Sequence, residues 1–323
     1  MAGSLPSEDD LPPGQEPIQT SNVKRFKAFL ALITDVRKAY STMGVVTGLA
    51  GIGKTVSIKA YLDSLKPLAH TGLPHSLKIT VKPRSTPKAL AVEVVTALRD
   101  KPHGRNIYEV ADEAAAAVIR NDLDLLIVDE ADRLNEDSFE LLRHLFDTTG
   151  CPVVVVGLPR ILSVIDRHEK FASRVGLRMD FLPLASSEVL KVVLPGLVFP
   201  HWKFDPDCAT DHAMGERIVK IVGPSLRKLR NLLQIASQIA TAYERPCITP
   251  DILDEAFCWS ASSEDKRRIT QRAETEKSAP DPRRGEFEHE SERRQEGHNK
   301  QPLHRTQEQV QRAARSKPAR SRA

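Results

Sequence analysis

The stretch "VVTGLAGIGKTVSIKAYL" (residues 45–62) restricts the fold of this chain more than any other. Gly48, Gly53, Lys54 and Thr55 satisfy the pattern G-x-x-x-x-G-K-[ST]. The flanks agree with it. Val45, Val46 and Thr47 read as the end of a buried strand, and from Thr55 to Leu65 apolar residues recur at helical spacing (Val56, Ile58, Tyr61, Leu62, Leu65). The glycines therefore fall between a strand and the N-terminus of a helix. Glycine takes positive φ and lets backbone approach a ligand closely. The N–H groups of the turn and of the helix start then face one anion. The expected phosphate-contacting set is Gly48, Gly51, Gly53, Lys54, Thr55 and Val56, with Lys54 reaching the β- and γ-phosphates and the Thr55 hydroxyl offered to Mg2+.

A second element bears on the same chemistry. "LDLLIVDEADRL" (123–134) is a continuous apolar run that ends in Asp129 and Glu130. A run apolar on both faces suits a central parallel strand, and the carboxyl ends of such strands meet the ligand crevice. Asp129 would hold the Mg2+ shell and Glu130 would polarise an attacking water. An acidic pair is more often a solvated helix start, and "DEADRL" taken alone allows that. Two such elements in this order, about 75 residues apart, point to nucleotide binding with hydrolysis.

The chain has 323 residues, room for one or two domains. No apolar run reaches the roughly 18 residues of a membrane span. The first residues, "MAGSLPSEDDLPPGQEP", lack the basic start and apolar core of a secretory signal. Cys151, Cys208, Cys247 and Cys258 are scattered and read as free thiols of a reducing compartment, not a zinc site or a disulfide frame. The expected location is cytoplasmic, with no membrane partner.

Alternating strand and helix patterns predict a parallel sheet with helices on both faces. Residues 1–21 are rich in proline and acids and are expected to be disordered. Ser21 or Asn22 would cap a helix over about 23–41, with Phe26, Phe29, Leu30, Ile33 and Val36 on one face. After the phosphate loop come a strand at 76–81 and a helix capped by Ser85 or Thr86 with Pro87 in its first turn. A helix at 107–120, the acidic-ended strand, a helix at 136–148 and a strand at 152–157 follow. "RILSVIDRHEKFASRV" (160–175) reads as one helical stretch, and "LRMDFLPL" holds a last short strand. Four further helices, 186–197, 213–222, 225–243 and 250–258, make a small helical domain, in which Trp202 reads as a packing residue and not a base-stacking one. The expected division is therefore 1–21, 22–185, 186–260 and 261–323, the last charged and too poor in large apolar residues to fold. Residues 264–323 carry 16 Lys+Arg against 11 Asp+Glu, so the excess of positive charge sits at the end.

The phosphate loop, the acidic-ended strand and the trailing helices together resemble an AAA+ ATPase, which implies ATP and Mg2+ as ligands and a helical lid behind the sheet. "FASRVGLRMDFLPLASSEV" (171–189) resembles the origin-recognition and Cdc6-type clade, and this implies that Arg174 is an arginine finger acting on a neighbour's nucleotide. "GPSLRKLRNLLQIA" (223–236) resembles that clade's lid helix and places Arg227 at the sensor-2 position on the γ-phosphate. "LLIVDEADRL", "VVVVGLPR" and the compact body are similar to transposition ATPases of the TniB/TnsC kind; this likeness covers about residues 23–258. One position departs. The fourth strand ends Val156, Gly157, Leu158, Pro159, where such proteins place a polar sensor-1 residue, and Arg160 is the nearest polar group. The departure implies slow hydrolysis.

The resemblance implies a homo-oligomer, a ring or a helical filament, because a finger supplied in trans leaves a lone chain incomplete. It also implies duplex DNA bound without sequence preference by Lys82, Arg84, Arg99, Lys101 and Arg105, with Lys88 nearby. Ordinary surface charge on loops explains these residues equally well. The implied function is an ATP-dependent DNA-binding regulator of transposition. It would oligomerise on DNA with ATP, recruit a transposase, respond to a target-selection protein and disassemble on hydrolysis. Alternatives are an origin-recognition or Cdc6-like initiator, a protein-recruiting secretion or signalling ATPase that does not bind DNA, and a scaffold that binds ATP without turnover.

Overall fold

The computed structural model describes residues 17–36, 42–69 and 71–260. The expectations for 1–16, for the end of the first helix at 37–41 and for 261–323 lie outside the described residues.

Five strands form one parallel sheet in the order β2-β3-β4-β1-β5: β1 Met43–Gly48, β2 Ser76–Thr80, β3 Leu125–Asp129, β4 Val153–Gly157 and β5 Val175–Phe181. β1, β3 and β4 are buried along their whole length, as their unbroken apolar runs require. Alternate side chains feed two cores. Val45, Val128, Val153 and Val155 face helices α3 (Pro87–Ala97), α4 (Ile107–Arg120) and α5 (Glu136–Thr149). Val46, Ile127, Val154 and Val156 face α1 (Ser21–Val36) and α2 (Lys54–Leu62). α1 presents the expected stripe of Phe26, Phe29, Leu30 and Ile33. The order of the strands brings the ends of β1, β3 and β4 side by side and opens a crevice at their carboxyl ends.

The start of α1 differs from expectation. Thr20 is the cap, accepting the Val23 N–H at 3.3 Å. Ser21 donates instead to Glu188, and buried Asn22 clamps the residue that follows β5, donating to the Leu182 carbonyl at 2.7 Å and accepting the Leu182 N–H at 3.2 Å. Residues 17–20 are not loose, since Ile18 packs with the lid core. Replacing Asn22 by alanine would strand both backbone groups of Leu182. We expect a loss of about 1–3 kcal/mol in stability by chemical denaturation.

The stretch at 160–175 is not one helix but two, α6 (Ile161–Ile165) and α7 (Glu169–Ala172). The chain breaks at His168 (φ −99, ψ 77), which lets Phe171 enter the core edge-on to Phe139 with ring centroids 4.9 Å apart. Burial of an aromatic ring outweighs continuation of a short solvent-facing helix.

After β5 comes the lid. α8 (Ser186–Glu188) passes through a π-helical stretch, Val189–Val193, into α9 (Leu194–Gly196), where Pro195 lacks the N–H that a regular turn would use. α10 (Ala209–Val222), α11 (Leu226–Ala242) and α12 (Pro250–Ser260) complete an all-helical core. Trp202 packs inside it, stacked on Phe204 and donating from Nε1 to the Leu194 carbonyl at 3.1 Å. Among the described residues no helix is long and apolar enough to cross a membrane.

Candidate functional site

A cavity of about 290 Å3 opens at the carboxyl ends of β1, β3 and β4, between the sheet and the lid. Gly51, Gly53, Lys54, Thr55 and Val56 line it, with Asp129, Glu130 and Arg227. Gly51 (φ +70) and Gly53 (φ +100) hold the left-handed backbone that the loop needs and that other residues take only with strain. Gly48 stands apart from these residues. It does not line the cavity; it ends β1, and a Cβ there would lie 2.7 Å from that of Phe181. Its small size serves strand packing against Phe181.

Lys54 is the first residue of α2, and its Nζ folds back to donate to the carbonyls of Gly48 at 2.7 Å and Leu49 at 2.8 Å. Burial pushes its pKa down against the opposing fields of Asp129, Glu130 and Asp132. The Thr55 hydroxyl donates to Asp129 Oδ2 at 3.0 Å, so two segments distant in the chain meet in one bond. Lys78 of β2 pairs with the same oxygen at 3.2 Å, which compensates a carboxylate that is 2% exposed. A hydroxyl and a carboxylate side by side are the oxygen donors a hard cation takes, and Thr55 and Asp129 fit Mg2+ on that ground.

"DEADRL" is not a helix start. Asp129 closes the strand, and Glu130 sits in the left-handed region (φ 58, ψ 32) before a 3-10 turn at Ala131–Arg133. A non-glycine residue there is held by its surroundings. Asp129 Oδ1 accepts the Glu130 N–H at 2.9 Å, and the Glu130 carboxylate pairs with Arg133 at 3.3 Å.

The lid seats directly on the loop. The Arg227 N–H donates to the Gly51 carbonyl at 3.1 Å, and a Cβ on Gly51 would lie 2.6 Å from Ser225 Oγ. The far wall is apolar: Ile18 and Val23 from the N-terminal segment, Val193 and Leu197 from the lid's first helices, Leu226 and Leu229 from α11. Such a wall suits a flat heterocycle, with the phosphates at the polar end. Sequence reasoning missed these residues because they come from three separate segments, each with an ordinary core pattern.

Arg174 is not in this cavity. Its carbonyl accepts the Met43 N–H at 2.9 Å, at the amino end of β1. The phosphate loop starts at the other end of that strand, about 17 Å away. The guanidinium forms a two-bond pair with Asp147, from Nε and Nη2 at 3.0 Å each, and this holds the carboxyl below the usual carboxylate range.

The five expected DNA contacts fall into two groups. Lys82 and Arg84 lie in the exposed loop before α3, and Arg105 joins them because Lys88 Nζ donates to the Arg105 carbonyl at 2.6 Å. Arg99 and Lys101 lie past the other end of α3, about 16 Å away along an 11-residue helix.

A family model described as an AAA domain matches residues 37–165, a stretch that includes Lys54, Thr55, Asp129 and Glu130. Among curated proteins, a potential ATP-binding protein of Staphylococcus aureus is 23% identical over 259 residues, covering 74% of this chain and 94% of that protein. Among solved structures, the ORC2 protein of Aeropyrum pernix in its ADPNP and ADP complexes superposes with a TM-score of 0.62 at 15% identity, over 79% of this chain and 72% of that one. The ORC1 protein of the same organism, solved in complex with DNA, gives 0.55 at 19% identity, over 76% and 66%. The fold is that of the P-loop AAA+ ATPases similar to Cdc6 and ORC proteins, and the matched domain and the Staphylococcus relative support ATP binding.

Proposed function

We propose that this chain is an ATP-hydrolysing switch that assembles head to tail on duplex DNA and, in that state, recruits a transposase. The observation that carries this reading is the separation of Arg174 from its own chain's cavity. The site offers a lysine, a hydroxyl, three carboxylates (Asp129, Glu130, Asp132) and the arginines Arg133, Arg227 and Arg230, and the candidate finger stands at the opposite end of the sheet. A finger that its own cavity cannot receive is available to a neighbouring copy, and repeated head-to-tail contacts build a ring or a filament. In the complete site Lys54 and Arg227 bind the phosphates, Thr55 and Asp129 hold Mg2+, and Glu130 takes a proton from the attacking water. Mg2+ when bound neutralises charge on the phosphates. Glu130 must leave Arg133 to act, which suits slow turnover.

DNA engagement is assigned to Lys82, Arg84 and Arg105, the group on the carboxyl side of the sheet, with Arg99 and Lys101 as a second row. A neighbour of this fold is solved on DNA. The test is duplex binding by fluorescence anisotropy across a salt series, with no nucleotide, with ADP and with a slowly hydrolysed ATP analogue, the same samples being imaged for rings or filaments. Binding is expected to need the ATP analogue. The triple Lys82→Ala/Arg84→Ala/Arg105→Ala variant should flatten the slope of log K against log salt by about 3. Nucleotide binding with no DNA binding in any state would instead favour a protein-recruiting ATPase. The Cdc6-like initiator reading draws on the same fold and predicts DNA binding without transposase recruitment, which a pull-down with the candidate transposase separates.

A further inference from the structure

The turn after β3 braces the exits of both neighbouring strands. Arg133 Nη1 donates to the Val81 carbonyl at 3.0 Å, just past β2. Asp132 reaches the other way, to β4. Its side chain is 2% exposed and lines the nucleotide cavity. Oδ1 accepts the Leu158 N–H at 3.1 Å, and Oδ2 accepts Arg160 Nε at 3.0 Å together with Arg160 Nη2. Asp132 also fills the space that a side chain at the end of β4 would need, since a Cβ on Gly157 would fall 3.0 Å from both the Asp132 nitrogen and Oδ1. No phosphate-binding or metal-binding role above uses this carboxylate, yet its field reaches Lys54.

We propose that Asp132 is a positioning residue for hydrolysis: it lines the cavity, locks the β4 exit against the turn that carries Glu130 and tethers Arg160 behind that wall. The inference rests on the hydrolysis reading given above. Transfer of the terminal phosphoryl group builds charge that fixed donors stabilise best when they need no reorganisation. A guanidinium has five N–H donors. Asp132 engages Nε and Nη2, and Nη1 has no partner among the described residues. An exposed ion pair would ordinarily count for little. Here one partner is buried in the cavity wall, so losing the other strands a charge beside the reacting groups. The pair supplies a polar function that Val156, Gly157, Leu158 and Pro159 lack.

The test uses the full chain with Asp132→Asn, Arg160→Ala, Arg160→Lys and the Asp132→Asn/Arg160→Ala double variant. ATP turnover is measured against ATP concentration, nucleotide affinity with a fluorescent ADP analogue. Asp132→Asn and Arg160→Ala should each lower kcat roughly 10- to 100-fold with affinity held within about threefold. The double variant should be no worse than the worse single one, because the pair acts as a unit. Arg160→Lys should recover part of the loss. Turnover by Arg160→Ala within about twofold of wild type overturns the inference, and so do additive losses in the double variant. If Asp132→Asn does not fold, Arg160→Ala decides alone, since that side chain is mostly exposed. All assays include duplex DNA, and absence of turnover in the wild type under those conditions overturns the hydrolysis reading and this inference with it. Normal wild-type turnover with insensitive variants overturns only the inference.

Discussion

Arg174→Ala is expected to lower ATP turnover by about three orders of magnitude while leaving nucleotide affinity of the isolated chain within about twofold. The asymmetry follows from position. Arg174 is bonded through its backbone to Met43 at the amino end of β1, and the phosphate loop leaves the carboxyl end. No rotamer of one side chain spans that strand. The guanidinium is held by Asp147 and by the Lys170 carbonyl and Ser173 hydroxyl at 3.0 Å each, and Asp147 is itself bonded by Arg143 at 2.7 Å, so it stays paired if Arg174 turns toward a neighbour. A mixing experiment separates trans from cis action. Arg174→Ala has a whole cavity and no finger; Glu130→Gln has a finger and no base. Neither should turn over alone, and a mixture should recover activity. A mixture as inactive as its parts would sink the trans assignment, and with it the main reason for expecting assembly.

The second large effect is at Lys54. Lys54→Ala should weaken ATP binding by about 3 kcal/mol, roughly 100-fold, from the loss of charge-assisted bonds to phosphate. Calorimetric titration measures it directly. In the structure the ammonium is held across the loop by the Gly48 and Leu49 carbonyls, so the side chain is aligned before ligand arrives. Its lowered pKa reports burial first, with three carboxylates opposing, and phosphate would favour the charged form further. Assembly on DNA should fail in the same variant if ATP drives it. Affinity within about threefold of wild type would remove the loop from phosphate binding altogether.

Much of the site is legible in the residues because its parts are local. Gly51, Gly53, Lys54 and Thr55 lie within five positions, and the backbone of one turn suffices to aim them. Asp129 is legible because an apolar run long enough for one central strand must end near it. Of the two caps that the sequence offers before Pro87, Ser85 and Thr86, the helix uses Thr86. Other parts are not local. Ile18, Val193, Leu197 and Leu229 look like ordinary core residues, and only their meeting makes one wall. Gly48 looks like a loop glycine, and only Phe181 on the adjacent strand shows that it is a packing glycine. The break at His168 has no punctuation in the sequence; it comes from the space beside Phe139 that Phe171 fills.

The sequence by itself determined the strand–loop–helix with its left-handed glycines, the buried acidic strand end beside it and the alternation that makes a parallel sheet. These follow from backbone conformation and from the period of apolar residues, which act over a few positions. Tertiary structure alone decided that Asp132 takes the room at the end of β4, that the basic residues form two groups and that Arg174 stands a strand's length from its own nucleotide site. Those outcomes depend on which strands lie side by side and on which ends of helices meet. They are set by packing between segments far apart in the chain, where the pattern within any one segment carries no information.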